Sequence, residues 1–371
     1  MSKFKKKVKH VLELAKPSLI AVVIGLLSGL IIMFIFSPID AFPALFTLIL
    51  GGFNGGISGI GNMLYAAAPI IFTGLSVAFA FKTGLFNIGA SGQMMVGAYV
   101  AVHIGVLWSA DGFIPLWMTA LFFGALAGAI WGFIPGLLKA VANVNEVVTS
   151  IMMNYVAGYL IIFLINSNIL SIGDSSSRVI KSAARIPSLQ SIFPGSTANI
   201  GILLAVVFVI IIHIILHKTI LGFQLRASGF SFEGSKYAGM NTKTNIVIAM
   251  VISGLLSGVA GATAYLVAGK QIAARFNIFT QGFDGISVAL LGLGEPVGAL
   301  FAGLFLSNLR EGGFYMQLYP FVPEIIDMVI AVIIYATAIS VAIQLLLKRY
   351  GENIKAWREK RKAAKKGGTP S

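Results

Sequence analysis

The chain has 371 residues and no cysteine. Disulfides, thiolate nucleophiles and cysteine-held metals are thereby excluded. Charge is scarce as well. Asp, Glu, Lys and Arg make up 11% of the residues, against about 25% in soluble domains. Acidic residues are the rarest of these, 13 against 27 lysines and arginines. No GxxxxGK[ST] loop is present to cradle nucleotide phosphates, and no GxSxG elbow to carry a hydrolase serine. His10, His103, His213 and His217 show no metal-ligand spacing with carboxylates. His213 and His217, four apart, share a helix face but have no third ligand near them in sequence. No catalysis, metal or cofactor is therefore expected within this chain.

What the chain has in abundance is apolar surface. It is 57% hydrophobic, with a mean hydropathy of +0.90, more than a soluble core can hide. That composition predicts a polytopic, all-α membrane protein. The 42 glycines suit helices that approach closely in lipid. Double GxxxG patterns at Gly124, Gly128 and Gly132, and a further one at Gly254 and Gly258, point to helix–helix contacts.

Apolar runs of spanning length fall near 18–37, 64–82, 93–110, 115–138, 147–166, 200–217, 245–269, 279–294, 295–311 and 325–347. They predict about ten transmembrane helices, with the pair at 279–311 meeting at Gly294-Glu295-Pro296. The first run follows a basic stretch as in a signal peptide, but no Ala-x-Ala site closes it, so it reads as a retained helix. The net charge of +14 is concentrated in Lys3 to Lys16 and in Lys348 to Lys366. These clusters flank apolar spans, which points to a bilayer rather than to nucleic acid. With both termini cytoplasmic, only Arg178, Lys181, Arg185, Lys270, Arg275 and Arg310 of the 27 basic residues fall outside. The chain then divides into a basic cytoplasmic N-terminus (1–17), a transmembrane domain (18–347) and a basic cytoplasmic tail (348–371). Within the domain lie an extracytoplasmic loop (167–199) and a cytoplasmic segment (218–244).

Polar residues inside apolar spans cost free energy unless they are partnered, so they mark cavities or helix contacts. One interruption is FNIGASGQMMVG, Phe86 to Gly97, with Asn87, Ser91 and Gln93. A second runs from Asn143 through Asn145 and Glu146 to Asn154. Asn145 suits helix capping, whereas Asn154 is not explained by capping. A third spans Asn277 to Asp284, and a fourth is Arg310-Glu311. FNIGASG at Phe86 and FNIFTQG at Phe276 share Phe-Asn-Ile and the following Gly. In the ten-span topology the two copies are inverted, which suggests an inverted internal repeat with broken helices along a transport path. In the cytoplasmic segment, Ser231 is placed to cap a short helix ending at Gly239.

The segment LGFQLRASGFSFEGSKYAGMNTKTN resembles the ATPase-coupling segment of importer permeases of the branched-chain amino acid and monosaccharide permease superfamily. GLFNIGASGQMMVGAY, NEVVTSIMMNYVAGYL and GFDGISVALLGLGEPVGAL are similar to further blocks of that family, and together they cover Gly84 to Ala299. The likeness is nearest to bacterial nucleoside (guanosine-type) importer permeases. It implies a plasma-membrane ABC permease that is not itself an enzyme. It implies a second permease subunit, a cytoplasmic ABC ATPase holding ATP and Mg, and an extracytoplasmic nucleoside-binding lipoprotein. Asn87, Ser91, Gln93, Asn145, Glu146, Asn154, Asn277 and Asp284 become candidates for the substrate pathway. Ser231, Phe232, Glu233, Gly234, Lys236, Tyr237, Ala238 and Gly239 become the candidate coupling helix. Many members carry Glu where this chain has Ser91. Two alternatives stay open: an importer of sugars or other small polar solutes, and an ion-coupled transporter using Glu146, Asp284 or Asp327.

Overall fold

The computed structural model describes residues 3–110, 112–171 and 173–339. The basic tail at 348–371 and the end of the 325–347 run lie outside them. The described chain is mostly helical, and six segments are long and apolar enough to cross a membrane: 41–82, 90–107, 116–142, 146–169, 201–218 and 242–265. An all-α membrane protein follows.

Of the described residues, 3–45 and 319–339 belong to one compact unit and those within 46–318 to a second. In the first, helix α1 (Lys3–Phe36) and helix α13 (Pro323–Ala338) pack together, with Gly29 leaving room for the Val329 side chain. Helix α2 spans Ala41–Leu50. It was not anticipated from sequence, since ten residues fall short of a span.

The second unit carries α3 (Gly56–Lys82), α4 (Ala90–Leu107), α5 (Leu116–Ala142), α6 (Glu146–Leu164), α7 (Gly201–Lys218), α8 (Ile220–Phe230), α9 (Phe232–Tyr237), α10 (Thr242–Tyr265), α11 (Thr280–Leu291) and α12 (Pro296–Met316). Helices α3, α4 and α10 are its centre, about three-quarters buried, while α5, α6 and α7 leave most of their length exposed. The run expected to span at 279–294 contains the twelve-residue α11. At 1.5 Å per residue that is about 18 Å, short of a hydrocarbon core of about 30 Å.

Glycine decides how the centre closes. A Cβ on Gly254 would overlap the Gly128 carbonyl, one on Gly258 the Gly124 carbonyl, and one on Gly97 would lie 2.5 Å from the Cα of Gly258. The two GxxxG patterns thus face each other across α5 and α10, backbone to backbone, as small residues allow in lipid.

Two ends of this unit are tied by different contacts. At one, Lys82 and His217 both meet Glu295, and Lys139 meets Glu146 at 3.0 Å. At the other, the 167–199 loop is bound down over the ends of α3, α4 and α10. Lys181 N donates to the Gly105 carbonyl at 3.0 Å, Ile186 N to that of Leu266 at 2.9 Å, and Thr197 N to Asn62 Oδ1 at 3.0 Å. The Ser-rich loop is therefore an ordered cover.

Replacement of Gly254 or Gly128 by Leu is expected to abolish a monodisperse protein, because overpacking here strikes backbone rather than a movable side chain. Gly173, with open space around it, should accept Ala with unchanged yield. Size-exclusion profiles of the three purified variants in detergent check this, and a normal profile for G254L would contradict the packing.

Candidate functional site

Between α3 and α4 the helix is broken over Thr83–Gly89, with Leu85 to Asn87 in neither helix nor strand. In hydrocarbon such a break leaves backbone groups that only protein can satisfy. Asn154 on α6 does so twice. Its Oδ1 accepts from Gly92 N at 2.8 Å, and its Nδ2 donates to the Ile88 carbonyl at 3.0 Å. Gly92 is needed for that approach, since a Cβ would stand 2.8 Å from Asn154 Oδ1.

Asn87 and Gln93 exchange a reciprocal pair of amide hydrogen bonds, 2.8 Å from Asn87 Nδ2 and 3.1 Å from Gln93 Nε2. Asn87 Nδ2 also lies 2.6 Å from Ser253 Oγ and 3.2 Å from Ser76 Oγ. Ser253 donates to the Ser76 carbonyl, and Ser257 donates to Ser76 Oγ at 2.8 Å. All five side chains are fully buried. The cluster is closed on itself, a staple between the break, α3 and α10. Sequence reasoning missed Ser76, Ser253 and Ser257. The signal was available, since Ser253 and Ser257 share one helical face of an apolar span.

Ser91 is also buried, and its Oγ donates to the Phe279 carbonyl at 2.9 Å. Gly282 of α11 abuts Ser91 so closely that a Cβ would overlap it. The segments that follow the two Phe-Asn-Ile copies thus meet, α4 against α11. Neither copy is helical, and each is followed by a helix beginning three residues after its Asn. Their side chains differ in fate: Asn87 is buried and Asn277 exposed. On the far side, Thr73 Oγ1 donates to the Gln281 carbonyl at 2.8 Å, wedging α11 between α3 and α4.

The remaining candidates have local partners. Asn145 caps α6, its Oδ1 accepting from Val147 N at 2.9 Å. Glu146 pairs with Lys139, and the buried Asp284 pairs with Arg310 at 2.6 Å. Arg310 therefore partners α11 rather than its chain neighbour Glu311. Glu295 lies near both His213 and His217, their ligand atoms all within 4.8 Å of one another. That third neighbour was invisible in sequence. Lys82 already occupies one Glu295 oxygen, which removes the net negative charge that a bound cation would need.

Two recesses open on this unit. One of about 490 Å³ is lined by Gly84, Lys139, Glu146, Phe232 and Lys243 among others, and joins the broken stretch to the 218–244 segment. In that segment Ser231 Oγ accepts from Gly234 N at 3.1 Å, and Gly239 adopts φ +79°, ending α9 as the sequence predicts. Phe232 and Tyr237 are exposed there. The other recess, about 160 Å³, is bordered by Gln271, Arg275, Asn277, Tyr265 and Gly158. The stretch that carries Arg275 and Asn277 is clasped by the 167–199 loop: Ser177 N donates to the Ile272 carbonyl and Ala274 N to that of Ser175, both at 2.8 Å.

Asn154→Leu removes both bonds that close the break and leaves buried groups unsatisfied, at about 1–3 kcal/mol each. The melting midpoint in detergent should drop by ~5 °C or more. Asn277→Leu, on an exposed residue, should melt within about 1 °C of the parent. Equal midpoints for N154L and the parent would remove the stapling role.

Comparison with known proteins adds a family. Residues 59–338 match the permease component of the branched-chain amino acid transport system. The guanosine ABC transporter permease protein NupP of Bacillus subtilis is 40% identical, covering 93% of this chain and 100% of that one. The nucleoside ABC transporter permease protein NupB of Lactococcus lactis is 36% identical, covering 89% and 92%. The glucose ABC transporter permease protein TsgB13 of Haloferax volcanii is 31% identical, covering 80% and 79%. No solved structure matches. With its apolar helices, its interrupted α3–α4 junction and a match across most of its length, the chain belongs to the branched-chain amino acid transport permease family.

Proposed function

We propose that this chain is the membrane-spanning permease subunit of an ATP-driven nucleoside importer, a multi-pass protein of the bacterial plasma membrane. The observation that carries this reading is the likeness to guanosine and nucleoside permeases over nearly the whole chain. Hydrolysis of ATP with Mg belongs to a separate cytoplasmic ATPase. A second permease completes the membrane path, and a lipoprotein delivers the nucleoside from outside.

Ten crossings with both termini cytoplasmic remain our topology. Glu295 sits with the ends of α3 and α7 through Lys82 and His217. The turn between α11 and α12 then lies on the cytoplasmic side. The non-helical residues Phe276–Phe279 supplement α11 in that crossing. The two Phe-Asn-Ile copies are halves of an inverted repeat, as their matching helix breaks support.

The substrate path follows the exposed side of α6 and the stretch around Asn277. Asn145 and Glu146 lie at its cytoplasmic mouth. Asn87, Ser91, Gln93, Asn154 and Asp284 form the polar support behind it. The helix from Ser231 to Gly239, with Phe232, Glu233, Gly234, Lys236, Tyr237 and Ala238, docks into the ATPase. Its exposed aromatic rings suit a groove in a partner. An ion-coupled transporter is disfavoured because Glu146 and Asp284 each face a basic partner. A sugar importer is the second reading, favoured by the glucose permease relative.

The permease reconstituted with its ATPase, second permease and binding lipoprotein should accumulate labelled guanosine only with ATP. Unlabelled nucleosides should compete and glucose should not. Competition by glucose but not by nucleosides would install the second reading. In the same vesicles, Gly234→Pro removes the amide that donates to Ser231 Oγ. It should lower substrate-stimulated ATP hydrolysis at least tenfold, and undiminished stimulation would sink the docking role of α9.

A further inference from the structure

Helix α6 presents an outward stripe that differs from those of its neighbours. The exposed large residues of α7 are Leu203, Val207, Ile210, Ile211 and Ile214, and those of α5 are Met, Phe, Leu, Ile and Val. Such stripes suit lipid. The stripe on α6 contains Tyr155, 48% exposed, and Tyr159, 65% exposed. Tyr155 is the tenth residue of a nineteen-residue helix, far from the interfacial level where membrane tyrosines usually sit. Neither hydroxyl has a hydrogen-bond partner among the described residues. Two bare hydroxyls facing hydrocarbon at mid-helix would be costly, which disfavours lipid as their surroundings.

Phe276 completes the feature. Its ring stacks near-parallel on Tyr155, with centroids 6.0 Å apart and 11° between planes, and lies 4.9 Å from Tyr159. It is seated in a notch made by Gly158, where a Cβ would come 2.7 Å from the ring. Phe276 keeps 41% of its surface exposed. The clasp of Ser175 and Ser177 on Ile272 and Ala274 fixes the strand that carries it. Three rings thus form a row with free π-surface, held by a helix on one side and a pinned loop on the other. The recess with Gln271, Arg275 and Asn277 shares Gly158 with this notch, and these side chains offer donors and acceptors, the Gln271 Nε2 being held by the Ser177 carbonyl at 2.6 Å.

We infer that the row Tyr155–Phe276–Tyr159 is the surface on which the base of a translocating nucleoside stacks. Asn277, Gln271 and Arg275 meet its polar edge or the ribose hydroxyls. This rests on the nucleoside reading above and adds the element that recognises the base. Stacking suits a path better than a deep polar pocket, since it accepts any base face and can release it. Purines, with the larger π-surface, should gain more from it than pyrimidines.

The test uses the complete importer in proteoliposomes. Phe276→Leu keeps apolar bulk and removes the π-face. Its KM for guanosine should rise roughly tenfold, in line with the strength of base–aromatic stacking, and its preference for guanosine over uridine should shrink. Phe276→Tyr should restore both. A purely structural defect would lower guanosine and uridine uptake alike. In the unmodified importer, 8-azidoguanosine and light should label the peptides holding residues 155–159 or 276, and excess guanosine should block this. Labelling elsewhere only, or a guanosine-transporting importer in which F276L leaves KM and base preference unchanged, overturns the inference alone. An unmodified importer that carries no nucleoside overturns the nucleoside reading and the inference together.

Discussion

A broken helix in a bilayer must find every hydrogen bond within the protein, and this constraint organises the centre of the structure. The break at Thr83–Gly89 frees backbone groups that no lipid can satisfy. Asn154 answers for Gly92 and Ile88, and the Asn87–Gln93 pair with Ser76, Ser253 and Ser257 joins the break to α3 and α10. Because α10 must come near enough to lend two serines, its contact with α5 has to be close, and Gly124, Gly128, Gly254 and Gly258 permit it. Polar stapling and glycine packing are therefore one design. Each would fail without the other.

The same staple frees the outer parts of the unit for work. Helices α3, α4 and α10 are buried and mutually satisfied, so a moving solute has no access to their polar groups in this conformation. What remains accessible is the tyrosine-bearing face of α6, the pinned strand before α11 and the recess at the α9 end. These three places lie on elements held by the core but not part of it. A permease needs that division, because a rigid frame keeps lipid out while its surfaces alternate between partners.

Much of this was legible in the linear chain, for reasons that are local. Hydrophobic runs mark most of the helices because length and composition are properties of a single segment. The cap at Ser231 and the left-handed Gly239 depend only on residues a turn apart. The GxxxG faces were readable because spacing four is a helical repeat, though not which helix each would meet. What escaped the sequence depends on contacts between distant segments. Ser76 and Ser253 lie 177 positions apart, and nothing local pairs them. Glu295 reaches His217 only because the α11–α12 turn folds against the end of α7. The run at 279–294 did not show that its helix is confined to Thr280–Leu291, since an apolar run does not reveal where helix begins and ends.

Ser91 joins these threads. The family resemblance implies a glutamate at this place in many members, whereas here Ser91, in the first turn of α4, packs directly against α11. Its hydroxyl holds the Phe279 carbonyl, and its backbone admits Gly282 without a side chain between them. A serine is small enough for that crossing and adds a second donor to the Phe279 carbonyl, which also accepts from Gly282 N at 3.3 Å. A carboxylate would have to be desolvated against Gly282 with no cation bonded to Ser91 to partner it. The Ser91 hydroxyl thus ties α11 to α4, and with it the stretch from which Phe276 projects onto α6.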